Sequence, residues 1–521
     1  MALHRIAYLV YNYSNSIRQN QYLVIGPNSI FLNYIKSVLP DLEVDDVKQY
    51  TFQDFALKYI NCNIKVNSET KKINSNIVGK LNNDIDKFKS SFKYKEMIDL
   101  FLKDYYINLT SRDLMINDFK LLDKEFIKEQ MDIFIDSEYS LSSKIDLVIN
   151  RLSDYILYNI DSIILKYNNY VHYILENVSD DELEKTRNKL MKVKAEIEKG
   201  GKSILRKYFS KSKIDVTKIY KSFISAIEKY NIYNYNDIKS LKRDTLANLK
   251  NNSCDFTDLS PMVYICCAMN SKKEFQNIKQ VVVDEAQDLG EFNFEVLKKV
   301  LPNATFSIFG DLAQSICDYK GIDNWNDIKT NVFADNCKII NFNKSYRTTS
   351  QIMEVADEIA SNIGYTKSDV VIRQGENVSF NKVDKDSIPD YIINRIEDYK
   401  SKGYKTIGII SKTDLLSSYL NDDLYFKNYI IPNVSSNDDI SSNKFNICTI
   451  SNQLSKGLEF DCVIVADADE KMYSSNNKLD MKLLYVAITR ALHAVDVIYV
   501  DELNKTLKKF VNKDKVKKYK L

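Results

Sequence analysis

Residues Val281-Val-Val-Asp284-Glu285-Ala286-Gln287-Asp288 set three β-branched apolar side chains directly before a run of carboxylates. Such a stretch reads as a buried strand ending at a polar edge, and the carboxyl edge of a parallel sheet is where α/β proteins bind ligands. Adjacent carboxylates at that edge suit magnesium-nucleotide hydrolysis, one holding the hydrated metal and the next orienting and deprotonating water. Asp284 takes the metal role and Glu285 the water role in this reading. Paired acids after a strand are more often a solvated turn, so the whole string carries the weight rather than the pair.

Outward from this string the chain alternates between strand-like and helix-like segments. On the N-terminal side, Leu3, Ile6, Ala7 and Val10 recur at helical spacing. The run Tyr22-Leu-Val-Ile25 then predicts a buried strand before Gly26-Pro27-Asn28, and a helix through Phe31, Tyr34, Ile35 and Val38 stops near Pro40 ahead of another strand at 47–52. Between residues 61 and 253 this rhythm gives way to long helical patterns, notably 97–106, 144–176 and 180–198, the last of them dense in Lys and Glu. Strand patterns return at 280–284, 305–309 and 338–342, and again at 406–410, 445–450, 462–466 and 495–500. The fold expected is α/β with two parallel-sheet lobes. The first covers 1–60 and 254–343, interrupted by a helical insertion at 61–253 that reads as an antiparallel arm or a solvated helical subdomain; the second covers 344–521.

Composition narrows the function class. The chain has 521 residues, of which 44% are apolar and 28% charged, enough for several separate cores. No stretch approaches the roughly 18 uninterrupted apolar residues of a membrane span, and the first residues lack the pattern of a signal peptide, so a cytoplasmic protein is expected. Eight cysteines without a CxxC pair, and only three histidines, argue for reduced thiols and against a zinc centre. A net charge of +2 means that nucleic-acid binding has to come from local basic surfaces.

With the acidic string as anchor, the remaining motifs resemble those of the superfamily 1 UvrD/Rep/PcrA helicases, in that family's order and spacing. Phe309-Gly-Asp-Leu-Ala-Gln314-Ser-Ile resembles motif III, which implies that Gln314 contacts the terminal phosphate. Ser345-Tyr346-Arg347-Thr348 resembles motif IV, implying adenine stacking by Tyr346 and an arginine finger at Arg347. Ser455-Lys-Gly457-Leu-Glu459-Phe-Asp461 resembles motif V, with nucleotide contacts at Gly457 and Glu459, and Leu484-Tyr-Val-Ala-Ile-Thr-Arg490-Ala resembles motif VI, with a second finger at Arg490. The chemistry fits, because guanidinium groups supply fixed charge to a γ-phosphate, and carrying them on the second lobe ties hydrolysis to closure. The resemblance further implies two RecA-like lobes, ATP and Mg2+ as cofactors, DNA in single-stranded form as partner, and nucleic-acid contacts at Pro27, Asn28, Thr51, Phe52 and Tyr319.

Ala2-Leu-His-Arg-Ile-Ala-Tyr-Leu9, Gly26-Pro-Asn-Ser-Ile-Phe31 and the long insertion are similar to the HelD branch, whose members associate with bacterial RNA polymerase. About 100 residues separate Arg347 from Lys456, too few for the large domain that Rep-type enzymes insert there, which favours translocation or complex remodelling over processive unwinding. The sequence departs from the pattern in lacking the Gly-Lys-Ser/Thr phosphate loop that should precede Ala2, together with its strand; an incomplete copy that binds ATP weakly is the expectation. Gly200-Gly-Lys-Ser203 comes nearest but sits in a helical stretch without a preceding strand. Cys317 and Tyr319 stand where Rep-type enzymes have two stacking aromatics, and Gln453 stands where motif V commonly has histidine. The basic ending 505–520 reads as a solvated terminus or a set of phosphate contacts. The competing function is a catalytically inactive remnant that binds RNA polymerase or DNA.

Overall fold

A computed structural model describes residues 2–511 except 14–15, 39, 41–45, 70–71, 74–76, 78–82, 138, 211–214, 271–273, 343–346, 370–372 and 435–445. The first lobe is built on four parallel strands, β1 (Tyr22–Gly26), β2 (Lys48–Thr51), β3 (Gln280–Val283) and β4 (Thr305–Ile308), in the order β2-β1-β3-β4. Every residue of β1 is buried, as a strand covered on both faces requires. Its alternation divides two cores. Tyr22 and Val24 face Ile6, Leu9 and Val10 of helix α1 (Ala2–Tyr13) and Ile35 of α2 (Ser29–Val38). Leu23 and Ile25 face the opposite core, with Phe52, Phe55 and Ala56 of α3 (Phe52–Ile60) and most of the helix Phe256–Met269. That last helix is buried on nearly every side, its polar Thr257, Asp258 and Ser260 included.

The helical insertion leaves the lobe after α3 and returns before Phe256–Met269. Lys65–Val66 pairs in parallel with Ser253–Cys254, so the outgoing and incoming chains close the neck. The insertion shares the first lobe's core, and a buried ion pair ties the two together: Lys89 meets Asp258 at 2.7 Å, and Tyr220 donates to the same carboxylate at 2.6 Å. Buried pairs of this kind fix one arrangement more than they add stability. Farther out, the helices Ile160–Glu176 and Asp180–Glu198 form a hairpin that buries little beyond Tyr167, Val171, Leu190 and Ile197. Tyr167 stitches it by donating to the carbonyl of Leu190 at 3.2 Å. The insertion also contains a small antiparallel ladder, Leu114–Ile116 with Phe119–Leu122, that helical periodicity does not announce.

The second lobe carries six parallel strands, β5 (Ser379–Lys382), β6 (Ile407–Ser411), β7 (Asn433–Val434), β8 (Ile447–Ser451), β9 (Phe460–Val465) and β10 (Ala491–Tyr499), in the order β7-β8-β6-β9-β10-β5. The mixed α/β fold with parallel sheets is the one read from the sequence. One expected strand is corrected. Residues 338–342 join no ladder, and Ile339, Ile340 and Phe342 are 40%, 61% and 64% exposed. Apolar β-branched residues supply propensity, but a strand exists only against a neighbour offering free N–H and C=O groups, and no described strand pairs with this segment. Among the described residues no helix is long and apolar enough to cross a membrane.

Candidate active site

The acids stand where β3 stops, between the ends of β1 and β4. Asp284 N–H donates to the carbonyl of Ile25 at 3.0 Å, and Ala286 N–H donates to that of Phe309 at 2.9 Å, so the chain turns sharply across the sheet edge. Glu285 takes a left-handed backbone, φ 51°, which few non-glycine residues adopt and which costs on the order of 1 kcal/mol. The kink sends successive carboxylates different ways. Burial, and then the neighbouring Glu285, push the Asp284 carboxyl up to about 6. An oxygen ligand of this kind, buried beside a second carboxylate, fits a hard divalent cation. Glu285 is also penalised by burial, but Lys456 and Arg490 outweigh that and bring it below the ordinary carboxylate range.

Those two cations come from the other lobe. Lys456, only 5% exposed, reaches across to Asp288 at 2.6 Å and Glu285 at 3.4 Å, and donates to the carbonyl of Gln314 at 2.9 Å. Burial works against its charge, yet Asp288 and Glu285 hold the ammonium above its usual range. Arg490 ends the buried helix Lys478–Thr489 and donates to Gln314 Oε1 at 2.8 Å, to the carbonyl of Leu458 at 3.3 Å and to that of Val486 at 3.1 Å. A chain of amides links the two sides. Gln287, fully buried, donates to Glu285 at 2.6 Å and accepts from Asp311 N–H at 3.0 Å. Asp311 in turn accepts from the side chain of Gln314 at 2.8 Å, and Gln314 accepts from Arg490. Gly310 is required beside this chain, because a Cβ there would strike Gln287 Oε1 and the ring of Trp325.

Arg347 has a largely exposed side chain that ion-pairs with Glu459, while its main chain is pinned. Thr348, 4% exposed, donates its hydroxyl to the carbonyl of Ala491 at 2.8 Å, and Arg373 donates to the carbonyl of Arg347 at 2.8 Å. The residues after Arg347 and after Arg490 are thereby joined by one hydrogen bond. The positive charge of Arg347 acts to lower the Asp284 carboxyl, and that of Arg490 to lower the Glu285 carboxyl. Gly457 has φ 82° with open space around it, so the glycine serves the backbone turn between Lys456 and Glu459. Tyr346 lies outside the described residues.

The positions named for nucleic acid divide into two kinds. Pro27 and Asn28 are partly exposed at the end of β1, and Asn28 Oδ1 accepts from Phe31 N–H at 2.9 Å, opening α2. Thr51 caps α3 through Asp54 N–H at 3.1 Å. Phe52 and Tyr319, 2% and 1% exposed, are core side chains in this arrangement and offer no ring face to a base. A stacking platform at Tyr319 therefore requires the loop that carries it to move. Gly200 and Gly201, φ 83° and 63°, turn the chain from the hairpin into the helix Lys202–Ser210, with no strand before them. Sequence reasoning missed Lys456, Gln287, Asp288, Asp311, Thr348 and Arg373. All of these but Arg373 lay inside the quoted motifs; what sequence could not supply was the partner across the cleft.

Sequence comparison adds to this geometry. The profile of the UvrD/REP helicase N-terminal domain matches residues 14–331, and that of the UvrD-like helicase C-terminal domain matches 446–498. The chain belongs to the UvrD/REP helicase family. It is 28% identical over 204 residues, 37% of its own length, to a probable DNA helicase II homolog of Mycoplasma capricolum subsp. capricolum. It is also 32% identical over 121 residues, 22% of the chain, to the ATP-dependent DNA helicase Rep of Buchnera aphidicola, and 29% identical over 115 residues, 21% of the chain, to that of Escherichia coli. The matched part spans 27%, 19% and 17% of those three proteins.

Proposed function

We propose that this protein is the two-lobed motor of an ATP-dependent translocase acting on single-stranded DNA, of the type that remodels nucleic-acid complexes. The observation that carries the proposal is the meeting of Lys456 and Arg490 from one lobe with Glu285, Asp288 and Gln314 from the other. Asp284 would hold Mg2+, whose charge would offset that of the phosphates. Glu285, ionised at neutral pH, orients water and takes its proton. Arg490 leaves Gln314, and Arg347 leaves Glu459, to meet the γ-phosphate as the lobes close. Tyr346, Gly457 and Glu459 complete the nucleotide's binding surface. Pro27, Asn28 and Thr51, partly exposed at the ends of β1 and β2, offer main-chain and polar atoms to the nucleic-acid strand.

The outer edge of β4, which has no partner among the described residues, offers a place for a phosphate-binding strand and loop. The projecting hairpin of the insertion, with Leu165 and Tyr173 each 64% exposed, supports a HelD-type role in which that arm docks on RNA polymerase. The test is phosphate release from MgATP with the loop segment present. Turnover stimulated by oligo(dT) and lost in both Glu285→Gln and Arg490→Ala is expected, and turnover that survives either substitution contradicts these roles. For the partner, immobilised full chain should retain RNA polymerase and lose it when residues 160–198 are replaced by a short linker. Equal retention by both rules out the arm.

A further inference from the structure

The loop that follows Gln314 is gripped from an unexpected side. Glu69, just inside the neck of the insertion, accepts from the hydroxyl of Tyr319 at 3.1 Å and ion-pairs with Lys320, which is 5% exposed and lies 3.6 Å above the ring of Phe256. Lys87, at the other end of the same stretch of insertion, donates to the carbonyls of Asp318 at 3.2 Å and Gly321 at 2.5 Å and pairs with Asp323 at 2.8 Å. Between them Ile77 packs with Ile316, Cys317 and Tyr319 in the second lobe's apolar cluster. Ser90 closes the grip, its carbonyl accepting from Phe292 N–H at 3.0 Å and its Cβ lying against Gly290, where any side chain would collide with it. The gripped loop starts one residue after Gln314, which holds Arg490 and Lys456.

Two carboxylate contacts on adjacent residues, together with an ammonium that bonds two carbonyls of one turn, are more than apolar packing needs. We propose that Glu69 and Lys87 form a clasp by which the root of the insertion withholds Tyr319 from nucleic acid, and that opening the clasp creates a base-stacking position. This rests on the nucleic-acid reading above. Glu69 and Lys87 are positioning residues, because they touch only the loop and not a ligand. A partner seated on the insertion opens the clasp without reaching the cleft, since Glu69 and Lys87 both lie on the insertion.

The test uses the full chain, with hydrogen exchange of residues 317–323 and the anisotropy of a fluorescein-labelled oligo(dT) as readouts. Glu69→Ala should speed exchange in this loop and raise oligo(dT) affinity at least about fivefold, the effect of one stacked base. Tyr319→Ala added to it should cancel the gain, which loss of a negative charge alone would leave in place, whereas Tyr319→Phe should keep it. Lys87→Ala, at a half-exposed site, opens the other end without leaving Lys320 unpaired, and guards against a Glu69→Ala protein that does not fold. Unchanged exchange in both variants overturns the clasp, and so does an affinity gain that survives Tyr319→Ala. Faster exchange with no oligo(dT) bound by any of the proteins supports the clasp's hold on the loop and counts against the proposed function instead.

Discussion

The two sheets differ in how they end. In the second lobe, six strands run out to the two-residue β7 on one side and, on the other, to β5, where Phe510 stacks on Phe380 at 6.2 Å. In the first lobe, four strands end at β4, which among the described residues pairs only with β3 and keeps all four residues exposed or partly so. A short or covered edge is protected, and an uncovered parallel one is not. The difference teaches where rigidity lies. Lys456 and Arg490 are held by a complete sheet and a buried helix, whereas the carboxylates they meet sit beside an edge that offers hydrogen bonds to whatever can take them. The second lobe is the fixed jaw, and the first is the one its surroundings can adjust.

That comparison predicts the largest effect at the joint between the jaws. Lys456→Met leaves Asp288 and Glu285 without their nearest countercharge and should lower stability by about 3–5 kcal/mol, read from urea denaturation. A loss below about 1 kcal/mol would mean that the joint is not closed in solution. Next comes Gly310→Ala, which should cost about 1–3 kcal/mol by overpacking and alter the emission of Trp325, the only tryptophan in the chain. An unaltered spectrum would show that the ring does not pack there.

Charge separates the jaws further. Because burial and Glu285 raise the Asp284 carboxyl to about 6, the folded chain keeps a proton there that the unfolded chain has lost. Stability therefore falls as pH rises from the ordinary carboxylate range through 6, and Asp284→Asn should remove that share of the fall and gain about 1–2 kcal/mol at pH 7. Parallel pH profiles for both proteins would contradict the shift. The smallest effect belongs to the fixed jaw. Thr348→Val, which removes only the hydroxyl bond to Ala491, should cost about 1 kcal/mol, and Thr348→Ser should restore most of it.

Much of this architecture can be read from residue patterns. Continuous apolar runs such as 22–25 and 281–283 announce buried parallel strands, because a strand covered on both faces has no polar side to show. The acids, amide and arginines of the cleft stand out because their neighbours form long motifs. What stays hidden is relational. Residues 338–342 look like β3 in composition, but strandhood depends on a neighbour, and no residue in that segment says whether one exists. Lys456 stands in a quoted motif, yet its task is set by Asp288 and Glu285, more than 160 residues earlier. Tyr319 looks like an available aromatic only until Glu69, 250 residues away, is found on its hydroxyl.

The most direct test is a structure of the protein with Mg2+, ADP and aluminium fluoride. The metal is expected on Asp284, the fluoride between Glu285 and the two guanidinium groups, and the Arg347–Glu459 and Arg490–Gln314 contacts broken. A nucleotide bound elsewhere, with both of those contacts intact, would contradict these roles.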